Sequence, residues 1–361
     1  MLETIREYAA ERLEASGEAG DLRNRHAEHF LTFAEDAEPD VERNAEVGRR
    51  LEDAHDNLRA AVDHLVSSGD SQPALRLAGA LASFWEGGHV KEGRERLETL
   101  LAGDERPTAA RAKALAGAAV LARSSNDAAT TRRRAAEALA LYRDLGDARG
   151  IAVSTLLLGL ATADDGDFAK ARQIFEDCVR LFRDAGDDGN ELFASRLLGW
   201  MYTELGDDER ARQLHEDDLE RARALADKAM EGQTLTALAY LALKHGRTAD
   251  AISMYEEALR IDRDQGALLQ TSFDLCRFAR ALAIVGDAPE RAASLLAAAE
   301  AIREEIGAGT PPFLAKIVEE ALAGIRAEID DASFAAAWEE GKALSADEGV
   351  ALALGELDRH A

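Results

Sequence analysis

The sequence predicts an all-α protein, a solenoid of antiparallel helix pairs with a period of about 40 residues. The first observation is repetition. Four glycines recur at this interval, and an alanine stands five residues after each of the first three. The second is that apolar residues between the glycines have helical spacing. The third is composition: aromatic residues make up only 5% of a chain rich in Ala and Leu, which favours helix packing over sheets. The repeated positions are Gly166, Gly206, Gly246 and Gly286, with Ala171, Ala211 and Ala251.

One repeating unit is clearest between residues 190 and 226, where two helical stripes flank Gly206-Asp207. A glycine at this point can end the first helix in a left-handed conformation, and Asp207 can cap the second helix. Each unit is therefore predicted to be two antiparallel helices joined by a tight turn. We expect Gly199 of the first helix to face Ala211 of the second, because neither residue carries a bulky side chain.

Five positions of this unit form a motif, namely Leu198, Gly199, Tyr202, Gly206 and Ala211. The motif resembles the tetratricopeptide repeat. The period is 40 residues here and about 34 in that family, and His215 and Asp218 stand where an aromatic residue and Ala are usual. The resemblance implies a right-handed superhelix, and we expect four or five regular helix pairs between about Thr108 and Ile306.

The flanking segments differ from the regular units. We predict three regions: irregular helical repeats over residues 1–105, regular repeats over 106–306, and capping helices over 307–361. The first region should contain helices over residues 1–13, 24–37 and 45–67, and then a helix pair over 73–85 and 90–101. The last region should contain helices over 313–328 and 333–343. A final helix should begin at Ser345, which with Glu348 has capping-box spacing.

The flanks carry a second resemblance, in ETIREYAAERL near the start, RLEDAHDNLRAAVDHL at residues 50–65 and FWEGGHVKEGRERLETLL at residues 84–101. These segments are similar to the helical region of STAND-class, LuxR-type bacterial transcriptional regulators. The resemblance implies a sensor that responds to an inducer or a partner. No P-loop motif occurs in the sequence, so we expect the sensor region alone, cut from a larger regulator.

Composition and charge exclude several classes of function. The net charge is −26, which argues against direct binding of nucleic acid, because such binding requires clustered basic residues. The sequence contains no apolar run long enough to span a membrane, and we expect a cytoplasmic protein without a membrane partner. Cys178 and Cys276 lie in helical stripes and are predicted to be buried thiols.

Motifs for catalysis or metal binding are lacking. His26 and His29 could share one helix face, but no third ligand stands near them in sequence, so surface histidines explain them better. The acidic segment 164–167 does not have the ligand spacing of a calcium loop, and a turn between helices explains it better. We therefore expect a protein without catalytic activity and without a cofactor.

The resemblance to tetratricopeptide repeats implies that certain first-helix positions line a concave groove. Trp200 and Tyr240 hold equivalent positions there, and aromatic and Arg side chains commonly dominate binding surfaces. The predicted binding residues are Phe193, Arg196, Trp200, Thr236, Tyr240, Lys244 and Arg280. An alternative remains open for Phe193 and Trp200, which could instead pack between adjacent units.

Three functions compete on this basis. The first is a sensor domain that binds a peptide, a protein or a small inducer as part of a signal-responsive transcriptional regulator. The second is a free-standing adaptor that assembles a protein complex. The third is an enzyme with an unrecognised site in the N-terminal helices.

Overall fold

The computed structural model describes residues 12–13, 15–41, 45–286 and 288–357. These residues form nineteen α-helices and one 3-10 turn (Glu38–Asp40), and no β-strand occurs among them. The prediction of an all-α solenoid is confirmed. In chain order the helices are α1 (Ala19–Ala37), α2 (Ala45–Asp53), α3 (His55–Ser67), α4 (Ser71–Ala80), α5 (Ala82–Glu86), α6 (Val90–Gly103), α7 (Ala109–Ser124), α8 (Ala128–Leu145), α9 (Ala148–Asp164), α10 (Phe168–Asp184), α11 (Asp188–Glu204), α12 (Asp208–Ala224), α13 (Lys228–Lys244), α14 (Thr248–Gln265), α15 (Leu268–Val285), α16 (Pro289–Glu305), α17 (Pro312–Glu328), α18 (Asp331–Lys342) and α19 (Ala346–Leu354).

The chain divides into two compact units, the first ending at Leu157 and the second beginning at Leu158. Helices α7 to α16 form five successive helix pairs between residues 109 and 305, as the repeat predicted. The region boundaries predicted at residues 105 and 306 concern the regularity of the repeats and stay a prediction.

In the first unit, α6 packs closely on α5 and α7. A side chain at Gly93 would meet the Trp85 side chain at 2.8 Å and Leu121 at 2.6 Å, so only glycine allows this approach. Trp85 is 1% exposed and anchors this part of the core.

Several predicted boundaries in the first unit were wrong. Helix α1 begins at Ala19, five residues before the predicted start at residue 24, and the single helix expected over residues 45–67 is divided at Ala54 into α2 and α3. The interruption is slight, because the Ala54 amide donates to the Arg50 carbonyl and the Ala54 carbonyl accepts from the Leu58 amide. The helix predicted for residues 1–13 falls almost wholly outside the described residues.

The turns between the regular helices repeat every 20 residues. From residue 126 to residue 266, one residue with a positive φ follows each helix, and the next residue holds the N-cap position of the helix that follows. At five turns this next residue is an aspartate whose side chain accepts a hydrogen bond from the backbone three residues on: Asp127, Asp147, Asp167, Asp187 and Asp227. The positive-φ residue is glycine at most turns, but it is Asn126 at one and Ala226 at another.

Replacing Ala226 with glycine is expected to stabilise the protein. Ala226 has a φ of 54°, which costs an L-residue about 1–2 kcal/mol relative to glycine. The greater freedom of glycine in the unfolded chain offsets part of this gain, so we expect Ala226→Gly to raise the free energy of unfolding by roughly 0.5–1 kcal/mol. Chemical denaturation measures the change.

Gly206→Ala is the matched control for this prediction. Gly206 has a φ of 79°, and an added Cβ would meet nothing within 4 Å, so the variant tests the backbone alone. It should be destabilised by a similar amount. A loss of stability in Ala226→Gly would contradict the left-handed conformation at that residue.

In two of the pairs, α9/α10 and α11/α12, a glycine of the first helix lies beneath a large side chain of the second. A Cβ at Gly159 would come within 2.7 Å of the Phe175 ring, and one at Gly199 within 2.3 Å of His215 Cε1. The expectation that Gly199 faces Ala211 was therefore wrong. His215 lies one helical turn beyond Ala211, and its ring is long enough to cover the glycine.

Gly199→Ala is expected to lower the free energy of unfolding by about 1–3 kcal/mol, because the methyl group overlaps the His215 ring. The double variant Gly199→Ala/His215→Ala tests the contact itself. Relative to His215→Ala alone, the added methyl group should then cost much less. Equal costs in both backgrounds, measured by denaturant titration, would show that His215 is not the neighbour of Gly199.

The C-terminal helices pack on the last regular pair. Helix α17 contacts α15, and α18 contacts α16 so closely that a Cβ at Gly341 would lie 2.1 Å from the Ser294 carbonyl oxygen. Helix α19 begins with the predicted capping box of Ser345 and Glu348. The predicted helices over 313–328 and 333–343 correspond to α17 and α18.

Two further expectations concern the two cysteines and membrane-spanning helices. Cys178 and Cys276 are buried free thiols, as predicted. In the described part of the chain, none of the helices combines the length and the apolar character needed to cross a membrane.

Candidate functional site

The first helices of the regular pairs in the second unit bring equivalent side chains into a row. Helix α13 lies beside α11, and α15 lies beside α13 and α17. Trp200, Tyr240 and Arg280 hold the same position on α11, α13 and α15, and Glu320 continues the 40-residue spacing on α17. We call these four residues the ladder. The first three are partly buried and Glu320 is exposed, so the row forms part of the surface.

Contacts join Tyr240, Arg280 and Glu320 to one another, and neighbours outside the ladder hold Trp200. The Arg280 guanidinium lies over the Tyr240 ring at 5.6 Å, and Arg280 Nε donates to Glu320 Oε2 at 2.6 Å. The Trp200 indole donates to Glu204 Oε1 at 3.0 Å and lies 6.4 Å from the Phe168 ring. Each ring is thus held in one orientation while part of its face remains at the surface.

Phe193 and Arg196 form a second contact on α11, one to two turns before Trp200. The Arg196 guanidinium lies over the Phe193 ring at 5.2 Å. Phe193 also packs against the buried cluster of Leu192, Ala222 and Met230. The side chain of Phe193 therefore contributes to packing between helices, as the open alternative proposed for it.

Thr236 and Lys244 are not members of the ladder. Thr236 is 5% exposed and its hydroxyl donates to Asp274 Oδ2 at 2.9 Å, so it points into the protein. Lys244 Nζ donates to Asp208 Oδ1 at 2.7 Å near the turn between α11 and α12. The structure thus brings Trp200, Tyr240 and Arg280 together and leaves Thr236 inside.

Glu320 was missing from the predicted site. Glu320 stands 40 residues after Arg280, but Gly307–Pro312 interrupts the repeat pattern between them and hides this spacing. The structure restores the register on α17, where Glu320 reaches Arg280.

A buried acidic pair lies behind α13 and α15. Asp274 is fully buried and receives hydrogen bonds from Thr236, Gln270 and Arg277. Burial, together with the neighbouring Asp274, holds the pKa of Asp262 well above its ordinary value. One proton is therefore retained on this pair at neutral pH, which removes the repulsion between two buried carboxylates.

A second buried polar cluster lies between α11 and α12, where the sequence departs from the tetratricopeptide pattern. His215 and Asp218 are each 1% exposed. Burial, with the nearby Arg196 charge, lowers the pKa of His215 to about 3. Burial raises the pKa of Asp218 to about 7, against the opposing effects of a hydrogen bond from Ser195 and of the Arg221 and Arg196 charges.

The two shifts act on stability in opposite directions. Because the Asp218 carboxyl binds its proton more tightly in the folded state, its contribution falls as pH rises from about 4 to about 7. The neutral His215 ring has the reverse effect, and its contribution is lost as pH falls from about 6.5 toward 3. Over the shared range the two slopes partly cancel.

Asp218→Asn is expected to change the pH dependence of stability. The amide resembles the protonated carboxyl, so the variant should match the wild type near pH 4 and exceed it at pH 8 by on the order of 2–4 kcal/mol. Urea unfolding at several pH values measures this difference. Asp217→Asn is the control, since Asp217 is exposed and adjacent. A difference that does not grow with pH would contradict the burial of an ionising Asp218.

Comparisons with known proteins agree with this fold. Family models of the tetratricopeptide repeat match residues 150–224 and 234–268, so the chain contains these repeats. HTH-type transcriptional regulators of Mycobacterium tuberculosis and Mycobacterium bovis are 36% identical to it over 159 residues, which is 41% of this chain. The match spans 18% of the length of those relatives.

Solved structures show the same architecture at low identity. NprR in complex with its cognate peptide NprX matches with a TM-score of 0.54 and 15% identity, over 89% of each chain. A STAND protein with a tetratricopeptide repeat sensor from Pyrococcus horikoshii matches with a TM-score of 0.52 and 14% identity, over 90% of this chain and 52% of that one. The Rap conjugation regulator of plasmid pLS20 with the Phr* peptide gives 0.51 and 14% identity, over 86% and 95%.

Proposed function

We propose that the tetratricopeptide repeats of this chain form a sensor surface that binds a peptide, or a peptide segment of a protein, along the ladder. The observation that carries the proposal is the alignment of Trp200, Tyr240 and Arg280 at one position of three neighbouring helices. An indole, a phenol and a guanidinium recognise ligands through contact area and hydrogen bonds. The proposed role is therefore binding without catalysis.

The spacing of the ladder suits an extended ligand. Neighbouring packed helices lie about 8–10 Å apart, so three members span roughly 16–20 Å, the length of five or six extended residues. Trp200 and Tyr240 offer apolar faces to alternate side chains. Arg280 and Glu320 offer a donor and an acceptor to the backbone or to a charged side chain. Phe193, Arg196 and Lys244 are proposed to border this surface, whereas Thr236 is left out because it is buried.

Comparisons support the peptide as the ligand class. Two of the similar structures, NprR with NprX and the pLS20 Rap protein with Phr*, are complexes with a peptide. The similarity to HTH-type regulators and to a STAND protein supports a regulatory role for this binding. We propose that the chain serves as the sensor region of a signal-responsive transcriptional regulator.

The test is a selection of random twelve-residue peptides, displayed on phage, against the immobilised chain. The selected peptide is then synthesised and its affinity measured by fluorescence anisotropy. Trp200→Ala and Tyr240→Ala should each weaken binding about thirtyfold, the loss typical of a central anchor, about 2 kcal/mol. Their melting temperatures should stay close to that of the wild type, because both side chains are partly exposed.

Tyr202→Ala is the matched control. Tyr202 lies on the same helix as Trp200 but off the ladder, where its hydroxyl donates to Glu176 Oε1 at 3.2 Å. This variant should bind the peptide normally and melt earlier. Equal affinity of all three variants would contradict the surface. Selection of no peptide, with binding confined to folded proteins, would favour the alternative of an adaptor that assembles a complex.

A further inference from the structure

The first unit holds a cluster of histidine and glutamate side chains that the sequence did not reveal. Glu52 and His55 stand three residues apart where α2 ends and α3 begins, and His89 and Glu92 stand three residues apart at the start of α6. The two segments face each other in opposite order. His89 Nε2 lies 2.8 Å from Glu52 Oε2, and His55 Nε2 lies 3.3 Å from Glu92 Oε2.

Ligand atoms of Glu52, His55 and His89 all lie within 4.8 Å of one another. A tetrahedral ion with ligand distances near 2.1 Å needs donor atoms separated by roughly 3.4 Å. One observed separation, His89 Nε2 to Glu52 Oε2, is 2.8 Å, and the others do not exceed 4.8 Å, so the three donors are close to the required spacing. Small rotations of exposed Glu52 and partly exposed His89 would therefore complete the geometry.

His55 supplies the observation that points to a ligand. Its side chain is 12% exposed, and the buried Nε2 atom makes no hydrogen bond with any described residue, although Glu92 is near. A buried nitrogen that makes no hydrogen bond costs free energy, and a bound ion would satisfy it. The Phe84 ring lies 5.4 Å from the His55 ring and 5.1 Å from the His89 ring, so both imidazoles lie beside an apolar ring.

Neighbouring arginines do not oppose a cation as strongly as their number suggests. Arg59 and Arg96 both donate to the carboxylate of Glu92, and Arg96 also donates to Asp63 Oδ1 at 2.6 Å. Their charges are thus paired. Glu92 is held by these contacts, so it is a positioning group beside His55, and Glu52 is the carboxylate left to bind an ion.

We propose that Glu52, His55 and His89 bind one divalent transition-metal ion of the Zn²⁺ type. Two imidazole nitrogens and one carboxylate oxygen form a ligand set that suits Zn²⁺. Mg²⁺ and Ca²⁺ prefer oxygen ligands, so they should bind weakly here. The ion would join the end of α2 and the start of α3 to the turn before α6.

The experiment uses the full chain without a histidine tag, after treatment with a chelator. Zn²⁺ is titrated by calorimetry, and bound metal is counted after gel filtration. We expect one Zn²⁺ per chain and a higher melting temperature with Zn²⁺ than with Mg²⁺. Glu52→Gln and His89→Gln should each weaken Zn²⁺ binding at least about tenfold. Glu52 is 59% exposed, so its variant should fold even if a histidine variant does not.

His26→Gln is the matched control. His26 lies on α1 in the same unit, contacts Asn57 Oδ1 at 3.3 Å and is not one of the three grouped ligands. Its removal should leave the affinity for Zn²⁺ unchanged. Failure of the wild type to bind Zn²⁺ would overturn the proposal. Equal affinity of the wild type and Glu52→Gln, or a loss only in His26→Gln, would overturn it as well.

Discussion

The second unit depends on the fixed spacing of its turns. A left-handed residue followed by a helix cap recurs every 20 residues, so α10 to α13 each contain 17 residues. Because each residue turns a helix by about 100°, one inserted residue would rotate the following side chains away from their row. The equal lengths therefore place Trp200, Tyr240 and Arg280 on one surface. The same constraint keeps Gly159 beneath Phe175 and Gly199 beneath His215, one 40-residue period apart.

Polar groups occupy the core where this packing departs from the usual pattern. His215 lies between Phe175 and Tyr255 in the 40-residue register, and it fills the space above Gly199 as an aromatic ring would. Asp218 is costly at its position, because a buried carboxylate must keep a proton or a strong partner. Both lie behind α11, the helix that carries Trp200. Stability and the proposed binding surface thus share a helix, which is why binding and melting are measured together.

The sequence was sufficient for the fold because repetition is a local property that spacing reveals. It also placed Trp200 and Tyr240 in equivalent positions, since the period alone determines equivalence. The sequence could not show that Thr236 points inward. The family pattern gives only the usual direction of a side chain at that position, and here the Thr236 hydroxyl donates to the buried Asp274 carboxylate. The sequence also could not show that His55 and His89 lie close together. These residues stand 34 positions apart, outside the regular repeat, and no period relates them.

Arg280 has a particular place in the proposed complex, because it already has two partners. Its guanidinium lies over Tyr240 and also pairs with Glu320, whose side chain is 43% exposed. An ion pair this open to water contributes about 1 kcal/mol or less, so a carboxylate of the ligand could replace Glu320 at little cost. The exchange would release α17 from a contact that now joins it to α15. Helix α17 stays packed through its buried residues Leu314, Ala321 and Ile325, so the exchange would change one surface contact and leave the core intact.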